Sequence, residues 1–437
     1  MGTSTGLRFE YEWVDPGAAR GAELRATWAS FALFVADKTA TECFDLSCRS
    51  VRDRVFIALY PLAEWFADHW WFIRAENESV NSPRAGTFER RHNIRWAREG
   101  FVLPAVSFAS LGEHLTVQWQ PSDFPDASIR FISWGSELIP ARQALESIRQ
   151  FVNAVVMRLD ASGITGTTLH DQWVAIASAT AEEQRFCEAS ARLGVDPYSV
   201  DDEFESALMD AASRVRHDLL SDFLSVANAP TLRAQAEEFQ AATEAIAEDQ
   251  DSFDPLEGLR SVAPQVQSFP NPWESGYRFA QQLRQALHVS PWKSRSLDDL
   301  AQHLRVENLE RCLINEPLPW PAIDALVGSN IRQAPKFAIA KPRADSRQYA
   351  FCRALFEHLT LPRERFAMVN RLRTERQQMN RAFAAEFLAP WEMLQRDISA
   401  STIGEEEVSE LAAEYGVSEF VIRHQLENHQ LAQVSEY

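Results

Sequence analysis

In the run Arg347-Gln-Tyr-Ala-Phe351-Cys-Arg353-Ala-Leu355-Phe356-Glu357-His358-Leu359 an acid and an imidazole stand side by side at Glu357-His358. That pairing is what a metal-dependent hydrolase uses, with imidazole as ligand and carboxylate as general base. A catalytic zinc needs three protein ligands and a water. The inverted His-x-x-Glu-His spacing would require histidine at 354, where the chain has Ala354. His358 with Glu357 or Glu386 makes at most a partial site. His358 and Glu357 are the candidate metal ligands here, but the expectation is no metal and no cofactor. His358 reads as a solvated or hydrogen-bonded helix residue.

Other chemistry-bearing groups read as structural. Gly163-Ile-Thr-Gly166-Thr-Thr lacks the Gly-Lys-Ser/Thr end of a phosphate loop. Asp201, Asp202, Glu203 and Glu205 crowd a helix start, where acids suit the helix dipole. The five cysteines, Cys43, Cys48, Cys187, Cys312 and Cys352, are odd in number and irregular in spacing. They read as reduced, mostly buried thiols rather than a disulfide or zinc framework.

The elements that must position Glu357 and His358 follow from periodicity. Cys312 to Ile314, Ala325 to Val327 and Phe337 to Ile339 read as short strands. A helix over Gly276 to Leu287 and a short one over 296–304 precede them, and three helices over about 345–360, 373–397 and 405–431 follow. Phe351 and Leu355, like Phe383 and Phe387, are i, i+4 pairs that give both of the first two helices a core face. The second helix carries Asn380-Arg-Ala-Phe383-Ala-Ala-Glu386-Phe-Leu388-Ala-Pro390. The tail runs Val408-Ser-Glu-Leu411-Ala412-Ala-Glu-Tyr-Gly416-Val417-Ser418-Glu-Phe-Val-Ile422-Arg-His-Gln-Leu426-Glu-Asn428.

In this order and in these runs, residues 276–432 resemble the ImmA/IrrE family of bacterial metallopeptidases. The resemblance implies a zincin-like scaffold whose first helix carries His-Glu-x-x-His four residues after a Phe. Two histidines at i and i+4 share a helix face, which is why they bind one zinc. A glutamate ahead of the Phe-Ala-Ala run on the next helix supplies the third ligand. With Phe351 as the upstream Phe, Leu355 takes the first His position, Phe356 the Glu position and Leu359 the second His position. The third ligand falls at about Met379, beside Gln377 and Gln378. The expectation is a non-catalytic pseudo-peptidase that binds a protein partner. The family acts on helix-turn-helix repressors, which implies bacterial stress response, mobile-element control or phage defence. Two alternatives remain. One is a zinc peptidase with a non-standard site that cleaves such a repressor. The other is a DNA-associated regulator using the C-terminal helices.

That tail has a helix-turn-helix shape, with Ala412, Gly416, Val417, Ile422 and Leu426 at turn and core positions. Its second helix would present Arg423, His424, Gln425, Asn428 and His429. Glu405, Glu406, Glu407, Glu410, Glu414 and Glu419 would face phosphates poorly. Two basic stretches run Arg84 to Arg98 and Lys341 to Arg381. They read as internal or interface ion pairs, with nucleic acid as the lesser option. Arg347, Arg353, Arg423, His424 and Asn428 are the candidate interaction residues.

Composition bounds the rest. The 437 residues carry a formal charge of -19, which repels phosphate backbones and anionic lipid at long range. No apolar run reaches the roughly 18 residues of a membrane span. The first residues lack a basic stretch followed by an apolar one, so the chain reads as cytoplasmic. The fold class reads as α+β. Residues 1–140 form an α+β domain holding eight of the 13 tryptophans, 141–250 a helical region, 251–275 a Pro-rich linker and 276–437 the peptidase-like domain. Leu7 to Val14 and Trp28 to Ala36 read as strands, Val51 to Ile73 as one helix, and Val102 to Trp119 and Ala127 to Trp134 as strand-like.

Overall fold

The computed structural model describes residues 6–16, 19–78, 85–97, 100–125, 127–287, 292–314, 318, 322–398 and 400–435. The fold is α+β, and the chain divides into two compact units, Met1–Val200 and Asp201–Tyr437. Among the described residues no helix is long and apolar enough to cross a membrane. The start of the chain, read for a leader, and Arg84 and Arg98 of the first basic stretch lie outside the described residues.

In the first unit, β1 (Leu7–Trp13) and β3 (Val55–Ala58) flank β2 (Trp28–Val35) in antiparallel register. The helix α1 (Tyr60–Asp68) is followed by α2 (Trp70–Ala75). A second sheet joins β4 (Ala105–Ser110), β5 (His114–Gln120) and β6 (Gly135–Pro140), and leads into α3 (Ala141–Ala161). The β2 strand is buried almost throughout because it is central and covered. Phe9 stacks on Phe151 of α3 with ring centroids 4.6 Å apart, and Phe66 of α1 meets Phe151 edge-on at 6.0 Å.

Residues 51–73 differ from the expected single helix: Ser50–Arg52 and β3 are strands, and helix begins at Tyr60. The three-residue apolar spacing that suggested a helix starts only at Leu59. The basic stretch near Arg91 turns partly inward. Burial alone would push the Glu76 carboxyl up, but hydrogen bonds from His92 and Arg91 hold it below its ordinary value. His92 Nε2 lies 3.0 Å from the Glu76 carboxylate and its Nδ1 2.7 Å from the Phe108 carbonyl.

The second unit starts with α4 (Asp202–Arg214) and α5 (Leu232–Ala247). The division therefore falls after Val200, and the stretch expected to be a linker belongs to this unit. The physical reason is that the residues at its start and just before it are tied down. Asp249 lies 2.8 Å and Asp251 3.7 Å from the Lys336 ammonium. Asn330 donates to Asp249 over 2.9 Å. Leu256 and Leu259 enter the core, and Arg260 donates to the carbonyls of His358 and Leu361 at 2.7 and 2.6 Å. Residues 263–271 alone between Glu257 and Ala286 carry no helix or strand.

The helix α6 (Pro272–Ala286) precedes a four-stranded sheet of order β7 (Leu313–Ile314), β9 (Pro335–Ile339), β8 (Ile323–Ser329), β10 (Ala367–Asn370). The fourth strand was not expected from the sequence. The helices α7 (Ala344–Thr360) and α8 (Glu375–Leu388) follow β9 and β10. Then come α9 (Trp391–Asp397), α10 (Glu405–Tyr415) and α11 (Glu419–Asn428). The expected 373–397 helix is broken at Pro390, which cannot donate a helical N–H. The expected 405–431 helix turns at Gly416, whose φ is +61°. A side chain there would also collide with the Ser294 carbonyl oxygen. Gly276 has a different role: a Cβ would collide with the Met379 carbonyl, so glycine lets α6 lie directly on α8.

Candidate functional site

The positions that the resemblance aligns with zinc ligands are packed with hydrocarbon. Leu355, Phe356 and Leu359 are all buried on α7. The Phe356 ring lies 5.3 Å from Phe279 of α6 and 5.4 Å from Phe383 of α8, and Phe383 stacks on Phe387 at 5.0 Å. Met379 is half-buried on α8 with its carbonyl against Gly276. Such a face is close-packed core. It presents no nitrogen, carboxylate oxygen or thiolate.

Glu357 and His358 are adjacent in sequence and therefore point around the helix in different directions. Glu357 is fully buried. It accepts from Asn380 Nδ2 over 2.8 Å and pairs with Arg376. His358 is buried too, contrary to the solvated reading, with its ring edge-on to Phe337 at 5.8 Å. Burial, then the charges of Arg260 and Arg363, push its imidazole down to about 3. A neutral ring costs less to bury than an imidazolium, which explains how it is tolerated there. His358 and Glu357 line a small open pocket, with room for about one water molecule, together with Ser329, Arg363 and Arg365. Among the described residues no group of three or more His, Cys, Asp or Glu could hold a metal ion.

The polar centre of this helix pair is Arg353, one helical turn before Glu357 and only 3% exposed. Its Nε donates to Asn380 Oδ1 and its Nη1 to Asp324 Oδ2, both over 2.8 Å. Its Nη2 donates to the Asn370 carbonyl over 2.7 Å and to Gln377 Oε1 over 2.8 Å. Gln377 also accepts from the Asn370 N–H at 3.1 Å and donates to the Met368 carbonyl at 2.7 Å. One guanidinium thus ties α7 to α8, β8 and β10. Asn380 relays it to Glu357, and Asp324 relays it to Lys341 at 2.5 Å. A charge removed from water is tolerated only when paired and hydrogen-bonded in this way.

Of these residues the sequence singled out Arg353 and, as a neighbour of the third-ligand position, Gln377. Asp324, Asn370 and Asn380 were missed as site residues. Their signal is polarity in apolar surroundings: Gln377 and Asn380 fall at i, i+3 on a helix face that is otherwise core. Arg347, a candidate interaction residue, is half-buried near the start of α7.

The C-terminal helix pair closes the scaffold. Its core residues Val408, Leu411, Tyr415, Ile422 and Leu426 are buried. Arg423 pairs with Glu405, and His424 lies 3.9 Å from Glu427. Asn428 Nδ2 donates to the Tyr277 hydroxyl over 2.9 Å. Gln425 is not presented outward as expected. It is buried and donates to Glu386 Oε2 and to the Ala389 carbonyl, each over 2.9 Å. Glu386 is itself buried, and burial pushes its carboxyl up to about 7 although Gln281, Gln425, the Trp391 N–H and Arg284 oppose the shift. His429 Nε2 stands 3.7 Å from it, its imidazole lowered by burial.

Two outcomes are expected. Replacing Arg353 with Met leaves Asp324 and its hydrogen-bonding neighbours without their buried cation, and should cost about 3–5 kcal/mol in urea unfolding monitored on the whole chain. Because the folded protein holds the Glu386 proton to higher pH than the unfolded chain does, stability should fall as pH rises from the ordinary 4.5 toward 7. Glu386→Gln should flatten that part of the stability profile. An unchanged slope would show that Glu386 does not titrate there.

Comparison of the chain with family models, curated proteins and solved structures returns no match.

Proposed function

We propose that this protein is a non-catalytic recognition protein whose second unit is a degenerate ImmA/IrrE-type scaffold that binds a protein partner. The observation that carries the reading is the filled helix pair: Leu355, Phe356 and Leu359 packed as core, with the Arg353 guanidinium taking the acceptors of Asp324, Asn380, Gln377 and Asn370. A hydrolytic zinc centre needs three donor side chains around an open position. The resemblance to a family that acts on helix-turn-helix repressors supports a cytoplasmic role in bacterial stress response, mobile-element control or phage defence.

The two alternatives have weaker support. A peptidase with a non-standard site would have to recruit His358, whose neighbour Glu357 is already held by Asn380 and Arg376. A DNA reader would use α11, whose exposed side includes Glu419, Phe420, His424 and Glu427 and whose one full cation, Arg423, is paired to Glu405.

Calorimetric titration of zinc into the chelator-treated full chain, beside His358→Ala, separates these readings. No saturable zinc binding is expected. One equivalent of zinc bound by the parent and lost in His358→Ala would overturn the proposal and favour a peptidase. A partner captured from a bacterial lysate should stay bound in the presence of chelator.

A further inference from the structure

The second basic stretch is gathered in space as well as in sequence. The loop leaving β9 carries Lys341 and Arg343 into the start of α7, where Arg347 follows. The loop leaving β10 carries Arg371 and Arg373 into the start of α8, where Arg376 follows. Asp324, at the start of β8, fixes the two loops beside each other, with Lys341 at 2.5 Å, Arg353 at 2.8 Å and Arg371 at 4.0 Å. One carboxylate cannot neutralise three cations; of the remaining rim arginines, Arg343 has Asp345 at 3.1 Å and Arg376 pairs with Glu357. The side chains of Arg343, Arg371 and Arg376 are 79%, 51% and 45% exposed. Both helices also begin here and direct the positive ends of their dipoles toward the same rim. Like charges crowd at this place: burial, then Arg353 and Arg373, push the Arg381 guanidinium down to about 10. All this sits in a chain of net charge -19.

We propose that this rim is a docking surface for an acidic polypeptide segment, a proposal that rests on the recognition reading above and names the chemistry of the partner. Five of its six cations are arginines, whose planar forks match carboxylates two bonds at a time. Nucleic acid fits less well. Single strands are held by stacking on exposed aromatic rings. Among the described residues of this unit, Tyr349 is half-buried with its hydroxyl donating to the Arg381 carbonyl, and the exposed aromatic side chains Trp273 and Phe420 lie on α6 and α11.

The test is fluorescence anisotropy with the full chain and three labelled probes: a Glu-rich peptide, a Lys-rich peptide of equal length and a single-stranded oligonucleotide. Each is measured with the parent and with the double charge reversal Arg343→Glu, Arg371→Glu. Both side chains are exposed, so circular dichroism and melting should match the parent. The Glu-rich peptide should bind best, weaken with added salt, and lose at least about tenfold in affinity in the reversal variant. Tighter binding of the oligonucleotide, or peptide binding untouched by the reversal, would overturn the inference. So would self-association of the parent that the reversal abolishes, since the rim's occupant would then be a second copy of this chain. Failure here is distinguishable from failure of the recognition reading. A lysate partner that is retained equally by parent and reversal variant places recognition on another surface and sinks only this proposal.

Discussion

A guanidinium that leaves water gives up its hydration shell and must recover every bond from the protein. Arg353 recovers them from a carboxylate, two side-chain amides and a backbone carbonyl drawn from three elements. That requirement fixes the second unit. It holds the middle of α7 against the first half of α8, and ties both to β8 and β10. It also orients Asn380 toward Glu357, so the one buried acid of α7 has an assigned partner. The hydrophobic contacts of Phe279, Phe356 and Phe383 supply non-directional cohesion. The polar network selects one register among the ways those helices might slide.

The same network organises the surface above it. Asp324 serves inward to Arg353 and outward to Lys341, so the buried and exposed charges form one continuous system. Cations accumulate at this end because α7 and α8 both begin there with arginines in the adjoining loops. Elsewhere the unit is acidic, notably along Glu405, Glu406 and Glu407 at the start of α10. The C-terminal helix pair is bound to the scaffold differently, through Gln425, Glu386 and Gln281, where the buried acid has amide and backbone N–H partners.

Much of this architecture was legible in the sequence where apolar spacing is regular. The core strands around Ala325–Val327 and Phe337–Ile339 and the i, i+4 phenylalanines of α7 and α8 follow from local pattern. The strand Ala367–Asn370 is too short to show a period. Arg353 was visible as a charge but not as a buried one. Asp324 is 29 residues earlier in the chain, and the Asn370 contact is made by a backbone carbonyl, which no side-chain pattern records. The anchoring of the 251–275 stretch was hidden for the same reason. Nothing in the local sequence of Asp249 and Asp251 shows that the fold brings Lys336 and Asn330 to them. Long-range electrostatic pairing is what sequence periodicity does not carry.

The most direct measurement is the NMR signal of the Arg353 Nε–H in the full chain, assigned by its loss in Arg353→Lys, with hydrogen exchange followed before and after adding zinc. A buried guanidinium donating to Asn380 should give a slowly exchanging Nε–H that zinc leaves in place. A fast-exchanging signal, or one that moves with stoichiometric zinc, would mean that the helix pair holds an open site and not a closed internal ion network.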